Sequence, residues 1–211
     1  MKISDIRIDY SLKSLDLNDV LPSPIEQFKI WLNEAIQAKV LEVNAMNLAT
    51  VKEDGRPNSR IVLLKGVDSG LVFFTNYSST KGIELEKNPY VSVTFFWAEL
   101  ERQVRIMGKV SKIKGEESDE YFFSRPFSSQ IGAWVSPQSE AIEDREFLEK
   151  RDVALREKFD PDTIKRPMHW GGFRIDVSEV EFWQGRPSRL HDRILYTQTA
   201  NGHWEKKRLA P

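Results

Sequence analysis

The chain has 211 residues, 40% of them hydrophobic, which is enough for one sizeable core. Its 31 Lys and Arg against 32 Asp and Glu leave a net charge of -1, so it lacks the diffuse basic field behind non-specific nucleic-acid binding, and any anion site must be a local cluster. The absence of cysteine excludes disulfides, thiolate metal sites and a cysteine nucleophile, and fits a reducing compartment.

Residues 1–22 alternate charge with single apolar residues, without the continuous apolar segment of a secretory signal, and read as a flexible arm. No apolar run approaches the roughly 20 residues of a membrane-spanning helix; the chain reads as soluble and cytoplasmic. Residues 23–211 read as a single domain. In "SPIEQFKIWLNEAIQAKV", Ser23 is a cap, Pro24 suits the first helical position and Glu26 completes a capping box. Ile25, Phe28, Leu32, Ala35 and Ile36 share one face, which predicts an amphipathic helix.

From Asn44 to Ile113 short apolar or alternating runs ("NAMNLATV", "SRIVLLKG", "LVFFTN", "VSVTFFW", "RQVRIMGKVSKI") are separated by turn residues. That spacing predicts an antiparallel meander or barrel. "SSTKGIELEKN" interrupts it as a short helix with Ile83 and Leu85 facing inward. Residues 115–160 read as mainly helical, broken by "SRPFSSQIGAWVSPQS", whose prolines and serines predict an ordered surface loop. From Trp170 the runs "GGFRIDV", "EVEFWQ", "RILYTQ" and "HWEKKRL" return to strand. The fold class is α+β, mainly antiparallel β.

No G-x-G-x-x-G, Walker A, H-E-x-x-H or G-x-S-x-G motif is present. Instead, basic and hydroxyl residues cluster at strand ends and loops: Arg60 and Lys65, Thr75 to Lys81, Tyr121 to Ser129, and Arg189 to Arg193. Forked guanidinium, ammonium and hydroxyl donors of this kind suit small phosphorylated ligands. Each cluster also has a plainer reading. Arg60 and Lys65 bracket a strand as solvated ends do, Tyr121 and Arg125 sit i, i+4 on a helix end, and "EFWQGRPSRLHDR" reads alone as a charged hairpin. Lys81 stands out, because a helix start disfavours a cation unless an anion binds there.

The string E-F-W-Q followed after four residues by R-L-H-D-R resembles a signature of the pyridoxine (pyridoxamine) 5'-phosphate oxidases. "RIVLLKG", "FTN", "ERQVRI", "YFFSRP", "SSQIGAWVSPQS", "WGGFR" and "RLAP" resemble further segments of that family in the same order, across essentially the whole chain. The resemblance implies an FMN-binding split β-barrel with surrounding helices, working as a homodimer with FMN at the subunit interface and no metal. It implies oxidation of pyridoxine or pyridoxamine 5'-phosphate to pyridoxal 5'-phosphate by O2, with hydrogen peroxide formed.

By the same resemblance Arg60, Ile61, Val62, Leu63, Leu64, Lys65, Phe74, Thr75, Thr80, Lys81, Gln103, Gln138, Ser139, Trp183 and Arg193 contact FMN. Lys65, Tyr121, Arg125 and Ser129 hold the substrate phosphate, and Arg189 and His191 act at the substrate ring as catalytic residues. Arg7 and Tyr10 of the "RIDY" arm close over the bound ligand. Thr80 departs from the family, many members of which carry a basic residue there, and this predicts weaker FMN retention. A flavin reductase-like split-barrel protein without vitamin B6 activity would share the fold but has no use for Tyr121, Arg125, Ser129, Arg189 and His191 together. A nucleic-acid-binding barrel is disfavoured by the net charge.

Overall fold

Among the described residues nine strands form one antiparallel sheet that curls into a split barrel, with helices packed against it. The computed structural model describes residues 2–5 and 9–211. In chain order the elements are α1 (Pro24–Gln37), β1 (Ala45–Val51), β2 (Pro57–Leu63), β3 (Gly66–Val67), β4 (Leu71–Asn76), α2 (Thr80–Lys87), β5 (Tyr90–Trp97), β6 (Arg102–Lys112), α3 (Gly115–Ser124), α4 (Phe127–Val135), α5 (Arg145–Lys158), β7 (Trp170–Gln184), β8 (Asp192–Gln198) and β9 (Trp204–Leu209).

The strand order is β2-β1-β5-β6-β7-β4-β3, with β8 and β9 continuing from β7. "GGFRIDV" and "EVEFWQ" are not two strands but one of 15 residues. Its first half pairs with β4, its second with β8, and β6 runs along both. A register shift opposite Met107 and Gly108 leaves Ser178 as the extra residue, the kind of bulge that lets a long strand bend into a barrel. The core alternates inward along these strands (Met46, Leu48, Val93, Phe95, Val104, Ile106, Ile175, Val180 and Phe182), with Phe28 and Trp31 of α1 against it. A second apolar cluster, Phe122, Ile131, Val135, Ile164 and Trp170, holds α3 and α4.

Three local expectations are corrected. Phe127–Val135, expected as loop, is helix α4: Pro126 and Pro137 bracket it rather than interrupt it, and Gln130, Ile131 and Val135 form a buried stripe. In α2 Leu85 is buried but Ile83 is 47% exposed, and the inward position is taken by Glu84, which has polar partners inside. In α1 Ile36 is 53% exposed while Trp31 and Gln27 are buried, because the helix packs through a face rotated toward Trp31. Ser23 caps α1 by accepting the Glu26 N–H.

Residues 9–22 contain no helix or strand, yet they are tied down as a strap. Glu101 accepts the N–H groups of Ser11 and Leu12, Asp192 accepts that of Leu15, Lys206 donates to the carbonyls of Leu17 and Val20, and Tyr196 donates to that of Leu21. Among the described residues no helix is long and apolar enough to cross a membrane.

Candidate active site

Strand β2, the end of β4, the start of α2 and the end of α3 converge on a cleft of about 290 Å³ lined by Ile61, Val62, Leu63, Lys65, Phe74, Thr75, Asn76, Lys81, Tyr121, Arg125, Gln138 and Trp170. One wall is aromatic. Phe74 and Tyr121 stack with centroids 3.9 Å apart, and Trp170 lies nearly parallel to both at 5.5 and 6.2 Å. A flat apolar wall of this kind suits a planar ring system.

Among the described residues neither Lys81 nor Arg125 at this cleft forms an ion pair, although the Glu84 charge acts on Lys81 from further off. Lys81 is 8% exposed, and its ammonium donates only to hydroxyls, Thr75 Oγ1 at 3.1 Å and Ser79 Oγ at 3.3 Å. Burial, and then the nearby Arg60 guanidinium, hold its pKa below the ordinary lysine value. Arg125 follows the last residue of α3 in extended conformation, as the following Pro126 requires. Its guanidinium lies 4.7 Å from the Trp170 ring centre, and its Nη1 is buried without a hydrogen-bond partner. Burial lowers its pKa too. A buried, unpaired cationic donor is costly, so both positions favour an anion. Ser129 sits beside Arg125 in an adjoining cavity of about 230 Å³.

Arg60 is anchored differently. It donates to Thr50 and to Glu84 Oε2, the latter at 2.9 Å, and Glu84 also accepts from Thr50 at 2.6 Å and Asn58 at 2.9 Å. Burial alone would raise the Glu84 pKa, but these donors outweigh it and hold the carboxylate below its ordinary value. Leu64 points into the core, Thr80 is exposed at the start of α2, and Ser139, at φ 75°, is exposed outside the cleft lining.

The remaining candidates form a second group at the far ends of β6, β7 and β8 and do not line this cleft. Trp183 lies opposite Gln103 and Arg193 in the sheet. The Tyr10 ring packs edge-on at 5.7 Å to Trp183 and 5.9 Å to His191, with Trp183 and His191 4.6 Å apart. Gly185 makes room for it, since a Cβ there would fall 2.7 Å from Tyr10. His191 Nδ1 accepts the Arg186 N–H, so the neutral ring carries its proton on Nε2. Burial, then Arg189, lower the His191 pKa. Ser188 and Arg189 both take left-handed backbone, at φ 58° and 62°, and Arg189 is exposed. Arg193 is held in a two-pronged pair with Glu181. Arg186, without a role in the sequence reading, pairs with Asp192 and donates to the Lys13 carbonyl of the strap. Arg7 lies outside the described residues.

Sequence reasoning missed Trp170 as a wall, Glu84 as the anchor of Arg60, and Asn76 in the lining. The "WGGFR" string was the one signal for Trp170; the other two depend on contacts between distant segments.

Fold and cleft together define a split-barrel protein with a cationic, aromatic-walled site. Residues 32–158 match the family described as pyridoxamine 5'-phosphate oxidase, and residues 170–211 match the pyridoxine 5'-phosphate oxidase C-terminal dimerisation region. A pyridoxine/pyridoxamine 5'-phosphate oxidase of Chromobacterium violaceum is 55% identical over all of this chain and 99% of its own, and one of Cytophaga hutchinsonii is 53% identical over 99% and 98%. The crystal structure of PhzG from Burkholderia lata in complex with tetrahydrophenazine-1-carboxylic acid superposes with TM-score 0.89, 31% identity, and coverage of 96% of this chain and 100% of that one. An FMN-binding protein of Nostoc punctiforme shares the fold, with TM-score 0.73 and 18% identity over 91% of this chain and 100% of its own. The chain belongs to the pyridoxamine 5'-phosphate oxidase family.

Proposed function

We propose that this protein oxidises pyridoxine 5'-phosphate and pyridoxamine 5'-phosphate to pyridoxal 5'-phosphate, with FMN as cofactor and O2 as electron acceptor. The alcohol plus O2 gives the aldehyde plus H2O2; the amine also consumes water and releases ammonia. The observation that carries this reading is that buried Lys81 and half-buried Arg125, whose Nη1 has no hydrogen-bond partner, line one aromatic-walled cleft with no ion pair to either among the described residues. Two separate phosphate monoesters, one on the cofactor and one on the substrate, answer that demand.

The residues fit FMN on their own chemistry. Lys81, Thr75 and Gln138 offer charge and hydrogen bonds for its phosphate, Arg60 adds charge from an anchored guanidinium, and the backbone of Ile61 to Leu63 borders the cleft. Bound FMN supplies the two-electron acceptance that side chains cannot. Lys65, Tyr121, Arg125 and Ser129 bind the substrate phosphate, which fixes the position of the rest of the molecule. Arg189 offers a flat guanidinium to the pyridine ring, and His191 presents Nε2–H to a substrate oxygen or nitrogen.

Arg189, His191, Trp183 and Arg193 do not line this cleft, so in this reading a second copy of the chain brings them to it. FMN at the interface of a homodimer is part of this proposal, and the match to a dimerisation region over residues 170–211 supports the homodimer. So do the exposed apolar residues Ile61, Leu63, Phe96 and Met107 on the sheet. The decisive experiment incubates the protein and FMN with pyridoxine 5'-phosphate and measures pyridoxal 5'-phosphate and peroxide. Formation of both in equal amounts is expected; their absence rejects the reading.

A further inference from the structure

We infer that Arg174 is a positioning residue that sets the spacing between Lys65 and Tyr121, the two sides of the substrate-phosphate clamp; this rests on the function proposed above. Arg174 stands on β7 between Val72 of β4 and Ser111 of β6. Its Nε lies 3.0 and 3.1 Å from the two Asp68 carboxylate oxygens, and its Nη2 lies 2.6 Å from Asp68 Oδ2 and 2.8 Å from Glu117 Oε2. One guanidinium therefore joins two segments that are distant in sequence.

Each segment carries one side of the clamp. Asp68 sits in the β3–β4 turn, where it also accepts the Gly70 N–H, and that hairpin begins directly after Lys65, whose N–H donates to the Val72 carbonyl at 2.8 Å. The hairpin tip is pressed onto β7, since a Cβ on Gly70 would fall 2.2 Å from the Ile175 carbonyl oxygen. Glu117 lies in the first turn of α3, one turn before Tyr121 on the same face.

One side-chain contact already joins the two segments, the stack of Phe74 of β4 on Tyr121 of α3 at 3.9 Å. Lys65, Tyr121, Asp68, Glu117 and Arg174 all border an open cavity of about 280 Å³. Across this gap the ion pairs of Arg174 add a second, charged tie to the one that the Phe74–Tyr121 stack makes. Asp68 and Glu117 are 48% and 40% exposed, so the pairs add little to global stability, whereas the bidentate geometry restricts distance and direction. A scaffold role and a positioning role thus predict different readouts.

The test uses the FMN-loaded protein with Arg174→Gln, Asp68→Asn and the double variant, and Arg156→Gln as a control at an exposed helix pair. Inorganic phosphate binding is measured by calorimetry, alongside KM and kcat for pyridoxine 5'-phosphate, FMN affinity by fluorescence, and Tm. The expected result is a roughly ten-fold rise in both KM and phosphate Kd, equivalent to about 1.4 kcal/mol. The expected changes in kcat and FMN Kd are less than about two-fold, and the double variant should be no worse than Arg174→Gln, as coupled residues require. Unchanged phosphate Kd, or a parallel fall of FMN affinity, kcat and Tm, overturns the inference. Because phosphate binding needs no turnover, an inactive wild-type protein would reject the functional reading while this measurement still decides the role of Arg174.

Discussion

The Arg125 guanidinium lies 4.7 Å from the centre of the Trp170 ring while its Nη1 remains buried and unbonded. The guanidinium carbon sits over the ring as in a cation–π contact, and Nη1 is a donor that an anion can use. Arg125→Lys keeps the charge but loses the forked guanidinium donors. A charge-assisted hydrogen bond is worth about 1.5–3 kcal/mol, so KM for pyridoxine 5'-phosphate should rise about ten- to a hundred-fold. FMN affinity, read by flavin fluorescence, should stay unchanged.

Lys81 pays for its burial in the cofactor-free protein. Its pKa is lowered, so the folded state binds its proton less tightly than the unfolded chain does, and below that lowered pKa the penalty is fully present. Lys81→Met should leave the Tm of the cofactor-free protein equal or higher at pH 7, while weakening FMN binding about ten-fold or more. Calorimetric unfolding and a fluorescence titration check the two halves; a large fall in apo Tm would contradict the first.

Thr80 is exposed at the first position of α2, close in sequence to Lys81. Thr80→Arg adds a charged donor at a helix N-terminus where an anion is already favoured. FMN should bind about ten-fold tighter in that variant, by the scale of one charged hydrogen bond. Equal dissociation constants would reject the idea that this departure from the family weakens cofactor retention.

Burial, and then the Arg189 charge, lower the His191 pKa. Protonation is therefore disfavoured in the folded state, and its contribution to stability is present above the ordinary histidine pKa and declines as pH falls below about 6.5. Arg189→Gln should move the His191 pKa upward, measured by NMR titration of the ring C–H with His191→Asn for assignment. A downward or absent shift would contradict the Arg189 contribution.

Much of this protein is determined locally. The amphipathic pattern around Phe28, the alternation in "VSVTFFW" and the turn residues between strands specify α1 and the meander, because helix and strand periods are properties of neighbouring residues. The basic and hydroxyl clusters marked a phosphate-binding chemistry, and the ordered family motifs singled out their residues. Sequence spacing misjudged the α4 segment because Pro126 and Pro137 break a helix or bracket one depending on where the buried stripe Gln130, Ile131 and Val135 finds its partner.

Only the tertiary structure decided which of those residues share a space. It brought Lys81 of α2, Arg125 after α3 and Trp170 of β7 to one cleft, and held Trp183 and His191 at another edge of the sheet. It also placed Glu84 beneath Arg60 and Arg174 between Asp68 and Glu117, contacts that join residues 24 to 106 positions apart. The physical reason is that local periodicity is written in adjacent side chains, whereas long-range pairing depends on strand register and on which buried charges must be satisfied once the sheet closes.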